Sequence, residues 1–161
     1  MNLTAKDILL REIVTGVSEE NIAQIGIDLN VVEIHNIGSG GLVPVSGKTK
    51  LPNYTLVDPV TDSDSRKIWV LSPGMYQVKF SQGCKIPLDC SLDLFPRSSL
   101  ARVGGDIVSP KWDPGFYTNQ MGSFLVVHKT LMIEVGARIV QACVTLNPSV
   151  ENPYNGQFQG K

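Results

Sequence analysis

The 161-residue chain carries 14 Lys and Arg against 15 Asp and Glu, a formal net charge of -1, so no broad basic surface is offered to nucleic acid and any phosphate site has to be a local pocket in what the length suggests is a single domain. Three cysteines, Cys84, Cys90 and Cys143, with no CxxC spacing and only two histidines, speak against a disulfide framework or a zinc site and for buried thiols in a reducing compartment. With no apolar run long enough to cross a membrane and no signal-peptide pattern, the expectation is a soluble, cytoplasmic protein without a membrane partner.

Residues Met1–Val14 form the best helical candidate. Thr4 can cap it, Asp7 three residues on completes a variant of the capping box, and Ile8, Leu9 and Ile13 give a short apolar face. The run within Gln24–Ile34, IGIDLNVVEI, is rich in β-branched residues and reads as a strand. Asp28 is its odd member. A buried carboxylate needs a partner, so Asp28 is either paired with an arginine or near a metal; a strand-end aspartate capping a turn is the plainer alternative. Asn36–Lys67 is polar and turn-rich and reads as a surface excursion without chemistry, with LVPV and YTLV as short hairpin strands. GSGG at 38–41 is no phosphate loop, since no Gly-Lys-Ser/Thr follows and it opens no helix. From Ile68 to Leu94 the signal is β: IWVLSPGMYQVKF predicts strand, Pro-Gly turn, strand, and CKIPLDCSLDLF repeats the pattern. Many short strands with prolines suit a barrel or jelly roll.

The stretch Leu94–Phe116, LFPRSSLARVGGDIVSPKWDPGF, concentrates the candidate chemistry. Arg97 and Arg102 present rigid guanidinium forks suited to phosphate oxygens, and Ser98 and Ser99 add hydroxyl and backbone donors. Asp113 precedes a Pro-Gly turn, where a carboxylate can orient a water. Cations for a polyphosphate plus one placed base are what nucleoside triphosphate hydrolysis requires; a solvated strand end followed by an ordinary turn is the bland alternative. Gly122–Lys129 is an apolar strand. Leu131–Val144 holds a turn at Val135–Gly136 and a strand Arg138–Val144, on which alternation makes Gln141 an outward polar residue. Asn147–Lys161 has no apolar periodicity and by composition is a mobile tail. The absence of helix–strand alternation argues for a mostly β fold.

PRSSLARVG resembles the phosphate-binding motif of the dUTP pyrophosphatase and dCTP deaminase superfamily, and WDPGF resembles its next motif. IGIDL is similar to the first motif, EVGARIVQ to the fourth with Val135 replacing a proline, and PYNGQFQGK to the C-terminal segment of dCTP deaminases and archaeal-type dUTPases. The resemblance spans nearly the whole chain. It implies a dUTPase-like distorted β-barrel with a short N-terminal helix over residues 1–146 and a lid over 147–161 carrying Tyr154, Phe158 and Gln159. It implies that Gln141 contacts a phosphate, that Phe116 stacks on the deoxyribose beside Pro114 and Gly115, and that Asp28 either meets the water shell of a magnesium ion or supports the site's arginines. It also implies a homotrimer with each site built between subunits.

The superfamily supports two reactions. Deaminase members place a glutamate some five residues beyond a glycine, which is Val127 when counted from Gly122, and Ser123–Thr130 holds no acid. The resemblance therefore implies Mg2+-dependent hydrolysis of dUTP to dUMP and pyrophosphate. Arg97, Ser98, Ser99 and Gln141 would hold the phosphates, Arg102 would support them or Asp113, and Asp113 would aim the water. The rivals are a dCTP deaminase, alone or bifunctional with the hydrolase, and a non-catalytic trimeric module for nucleotide sensing or protein binding. Two departures stand near the site: Trp112 where an aliphatic residue is usual, and a longer hairpin, Tyr117–Met121, between Phe116 and Gly122.

Overall fold

The computed structural model describes residues 1–161. In chain order the elements are α1 (Ala5–Leu10), β1 (Val14–Thr15), a 3-10 turn (Glu19–Asn21), β2 (Ile27–Ile37), β3 (Tyr54–Leu56), β4 (Val60–Thr61), β5 (Lys67–Leu71), β6 (Gly74–Phe80), β7 (Gly83–Lys85) and β8 (Cys90–Pro96). Then follow α2 (Ser98–Arg102), β9 (Gly105–Val108), β10 (Tyr117–Thr118), β11 (Gly122–Val127), β12 (Leu131–Glu134) and β13 (Arg138–Leu146). The mostly β expectation holds, and no helix is long and apolar enough to cross a membrane.

The main sheet runs β8-β13-β2-β6-β11-β9, with β3 added to β2. Its axis is β2, whose first half pairs with β13 (Asp28 opposite Gln141) and whose second half pairs with β6 (Ile34 opposite Val78). Register shifts on both ladders help one strand serve both: β2 carries the extra residue opposite β6, and β13 carries it opposite β2, each bulge bending its strand and adding twist. Two small sheets, β1-β7-β10 and β12-β5-β4, close the ends. The core is one cluster in which Phe80, Leu29, Val78, Leu125 and Val140 are fully buried, and Ile8 plugs one end from α1.

Beneath the β2 bulge lies a polar knot. Asn21 Nδ2 donates to the Asp28 carbonyl at 2.8 Å and to Asn30 Oδ1 at 2.5 Å. Gln82 receives the Asn30 backbone N–H at 2.9 Å and donates back to Asn30 Oδ1 at 2.9 Å. Asn30 Nδ2 closes the set on the Gly136 carbonyl at 2.8 Å. A bulge leaves backbone groups without ladder partners, and these amides satisfy them, fixing the strand that carries Asp28.

Three expectations are corrected. The helix covers only Ala5–Leu10, although its capping box forms as read: Thr4 accepts from Asp7 N at 3.2 Å, and Asp7 Oδ2 takes the Thr4 N–H at 3.2 Å. IWVL and MYQVKF are both strands, but not partners: β5 joins β4 and β12, whereas β6 joins β2 and β11. The Pro-Gly turn reads as a local hairpin, yet the buried faces of the two strands are taken by different sheets. LVPV is no strand and contributes only the Leu42–Lys50 bridge, while YTLV supplies β3.

All three cysteines are free and buried. Burial pushes the Cys84 thiol up to about 12, and raises Cys90 and Cys143 in the same direction. Because the thiolate is the nucleophile, an aromatic disulfide reagent at pH 8 should label the native chain far more slowly than the guanidinium-unfolded chain. Rapid labelling of three thiols in the native protein would contradict this packing.

Candidate active site

The predicted residues form two groups, both positioned by β8. At its C-terminal end the chain passes into α2 through Arg97, whose backbone N–H is held by the Ile139 carbonyl at 2.9 Å. Its guanidinium is held twice more: Nε lies 2.9 Å from Asp28 Oδ2, and Nη1 donates to the Arg138 carbonyl at 3.0 Å. The Asp28 side chain is 7% exposed against 34% for Arg97. The carboxylate is therefore a buried anchor and the guanidinium its outward face, with donors left over. Gln141, opposite Asp28 on β13, reaches Asp28 Oδ1 at 3.4 Å. Gly26 makes room for it, since a Cβ there would sit 2.9 Å from Gln141 Cγ. Ser98, Ser99 and Arg102 are exposed on α2, where the first-turn N–H groups have no helical acceptor. Asp28 is paired with an arginine, and Gln141 joins them rather than standing apart as a plain outward residue.

The second group sits lower on the same strand. Trp112 exchanges both backbone hydrogen bonds with Leu92 of β8, at 3.0 and 3.1 Å. Asp113 follows, its carbonyl accepting from Phe116 N at 3.2 Å in the turn that Gly115 closes with φ +85. Phe116 meets Trp112 and Tyr154 edge-on, with ring centroids 5.2 and 5.3 Å apart. These rings, with Phe124 and Phe158, wall a chamber of about 390 Å³ in which Asp113 is the only acid. Asp113 is exposed, and its carboxylate forms no salt bridge or hydrogen bond, although Lys79, Lys111 and Lys161 line the same chamber.

No arginine lines this chamber. Leu92 lies on β8 and Arg97 directly follows that strand, five residues on, a separation of roughly 17 Å at the rise of a strand. One chain thus holds the cationic ledge and the carboxylate chamber on separate parts of its surface.

The tail is not the free segment its composition suggests. Tyr154 N donates to the Pro114 carbonyl at 2.8 Å, and Gly160 N to the Tyr117 carbonyl at 3.0 Å. Gln159 binds the hairpin with both ends of its amide: Nε2 donates to the Gly115 carbonyl at 2.9 Å, and Oε1 accepts from Tyr117 N at 3.3 Å. Gln157 does the same to the backbone of Thr49, at 2.9 Å for each bond. The tail therefore bridges the hairpin and the 36–67 excursion, and Tyr154 and Phe158 roof the chamber. Pro114 and Gly115 do not line it; they lie under the tail and receive it. The excursion, read as having no chemistry, supplies Leu51 and Tyr54 to the wall.

Val127, the position counted for a deaminase acid, is buried opposite Gly74 and Gly105 and is not on the chamber wall. Ser123 is, with its hydroxyl on the Val108 carbonyl at 3.0 Å. Sequence reasoning also missed Gln77 and Lys79, which line the chamber from β6. Their signal was the alternation against buried Val78 and Phe80, which puts both on one polar face.

Fold and chamber together define a β protein of the dCTP deaminase-like family: that family's model matches residues 3–145, and the chain belongs to it. Among its relatives, the chain is 32% identical to a probable deoxyuridine 5'-triphosphate nucleotidohydrolase of Aeropyrum pernix, covering 100% of this chain and 99% of that protein. It is 35% identical to the deoxyuridine 5'-triphosphate nucleotidohydrolase of Methanocaldococcus jannaschii, over 89% of this chain and 90% of that one. The fold is also that of the 2'-deoxycytidine 5'-triphosphate deaminase from Agrobacterium tumefaciens, with a TM-score of 0.61 at 16% identity, covering 91% of this chain and 48% of the deaminase.

Gly115 ties tail to hairpin: a Cβ there would lie 2.5 Å from Pro153 Cβ, on top of the strain of φ +85. Gly115→Ala should release the tail, so that limited proteolysis removes residues 153–161 several-fold faster while the barrel stays intact. Unchanged cleavage would mean the tail is held elsewhere.

Proposed function

We propose that the chain hydrolyses dUTP to dUMP and pyrophosphate, with Asp113 orienting the attacking water and the phosphates held by Arg97, Ser98, Ser99 and Gln141. The observation that carries this reading is that Asp113 is the sole acid of the chamber and no cation pairs with it. A carboxylate left free in this way can accept from a water and aim it at phosphorus. The family relatives named as deoxyuridine triphosphate nucleotidohydrolases support the same assignment.

Each residue's part follows from its setting. Arg97, clamped by Asp28, keeps its remaining donors at fixed positions, so little ordering cost is left when a phosphate arrives. Ser98 and Ser99 add hydroxyl and backbone donors, and Arg102 a second positive charge from the last turn of α2. The Phe116 ring, on the chamber wall, would pack on the deoxyribose, where a 2′-hydroxyl would meet its face. Tyr154 and Phe158 exclude bulk water, which strengthens every charge interaction beneath them. Asp113 is a weak base, so most of the acceleration comes from orientation and charge stabilisation.

Because ledge and chamber lie apart in one chain, the reading includes a homotrimer in which the ledge of one copy faces the chamber of the next. Magnesium would be held through the triphosphate's own oxygens and water: the chain gathers no group of three or more acid, histidine or cysteine side chains, and Asp28 is already engaged by Arg97 and Gln141. When bound, the ion supplies charge neutralisation on those oxygens. Deamination lacks the second acid it needs at the base, since Val127 cannot shuttle a proton and Asp113 is the one Asp or Glu on the chamber wall.

Asp113→Asn keeps the shape and removes the base. Turnover of dUTP with magnesium, followed by pyrophosphate release, should fall by at least about a hundredfold with nucleotide affinity nearly unchanged. Wild-type turnover in this variant, or ammonia release from dCTP by the native protein, would overturn the assignment.

A further inference from the structure

Three lysines line the chamber, Lys79, Lys111 and Lys161, the last from the end of the tail, and the hydrolysis reading uses none of them. Lys79 enters from β6 and is half-buried. Lys111, also on the wall, is held by Asp93 at 2.5 Å. No such acid takes Lys79. Glu33 lies opposite it in the β2–β6 ladder, but the Glu33 carboxylate lies 3.5 Å from His35 Nε2 instead. On the other side Lys79 faces Gly122 of β11. Gly122 has no side chain, and the lysine stem uses the gap: its Cγ is 3.8 Å from where a Gly122 Cβ would stand. The Lys79 stem thus passes Gly122, and the residue lines the chamber together with Gln77 and Gln120.

The chamber runs from Asp113 and Phe116 across the hairpin to this strand. A nucleotide with its α-phosphate at Asp113 and its sugar on Phe116 therefore extends its base toward Lys79. An ammonium carries three donors and no acceptor. Uracil presents a 4-keto oxygen, an acceptor; cytosine presents a 4-amino group, a donor. Donor facing donor in a half-buried wall leaves both unsatisfied, which is rejection as well as lost attraction.

We propose that Lys79 is a specificity-determining residue that selects uracil over cytosine by donating to the 4-keto oxygen. This rests on the dUTP reading and deepens it.

The test compares kcat/KM for dUTP and dCTP, and binding of deoxyuridine and deoxycytidine, which carry no phosphate, in the wild type, Lys79→Met and Lys79→Arg. Lys79→Met should weaken dUTP by roughly tenfold to a hundredfold, the worth of a hydrogen bond to a charged group. The loss should fall mainly in KM, with dCTP unchanged or improved, and deoxyuridine should lose affinity in parallel; Lys79→Arg should restore most of the preference. Equal weakening of both nucleotides with nucleoside binding unaffected would make Lys79 a phosphate contact, and an unchanged preference would make it a bystander; either overturns the proposal. Acetylation of the wild-type protein gives an answer even where a variant fails to fold: deoxyuridine should shield Lys79 and deoxycytidine should not, and equal labelling contradicts the assignment. Should the native protein release no pyrophosphate from any deoxynucleoside triphosphate, the hydrolase reading fails, and the nucleoside arms still decide Lys79.

Discussion

The ion pair between Asp28 and Arg97 governs the arrangement of charge in this protein. Burying a carboxylate on a central strand is costly unless an opposite charge and hydrogen bonds meet it. Here the guanidinium does so from the edge, with its own outer face still in solvent. The consequence reaches in two directions. Inward, β2 must be held in one register, which the amides of Asn21, Asn30 and Gln82 accomplish at its bulge. Outward, an arginine that would otherwise sweep a wide volume is fixed at the start of α2, beside two serines and Gln141.

The same pairing explains how a free carboxylate survives elsewhere. An arginine beside Asp113 in the same chain would form a salt bridge with it in the absence of ligand, and both groups would have to be parted before substrate could bind. Arg97 has Asp28 instead, and β8 carries it away from the chamber. Asp113 is left unpaired near the aromatic rings, in a chamber roofed by a tail that docks through backbone hydrogen bonds, the amides of Gln157 and Gln159, and the Tyr154–Phe116 ring contact.

Much of this was legible in the sequence, and the failures have physical causes. Asp28 announced itself because an acid in an apolar run demands a partner, whereas PRSSLAR and WDPGF stood out through their resemblance to family motifs, their residue chemistry alone being equally that of a strand end and a turn. The capping box at Thr4 and Asp7 was readable because it is local. The pairing of β5 and β6 was misread for the same reason: a Pro-Gly turn reports local geometry and says nothing of which sheet claims each strand. Asn21, Asn30 and Gln82 gave no signal, since polar residues near strand ends are ordinary until a bulge needs them. Leu51 and Tyr54 were dismissed with a loop whose composition is that of a surface, although its fold brings them over the chamber. Lys79 was visible on a polar strand face, but only the chamber gives that face a purpose.

The central claim is that one copy supplies the arginine ledge and another the carboxylate chamber. Chains carrying Arg97→Ala and chains carrying Asp113→Asn, each inactive alone, should be unfolded together, refolded as a mixture and assayed for pyrophosphate release from dUTP. If sites form between copies, random assembly pairs an intact ledge with an intact chamber in about a quarter of them, and activity returns to that level. A mixture as inactive as its components would contradict the account.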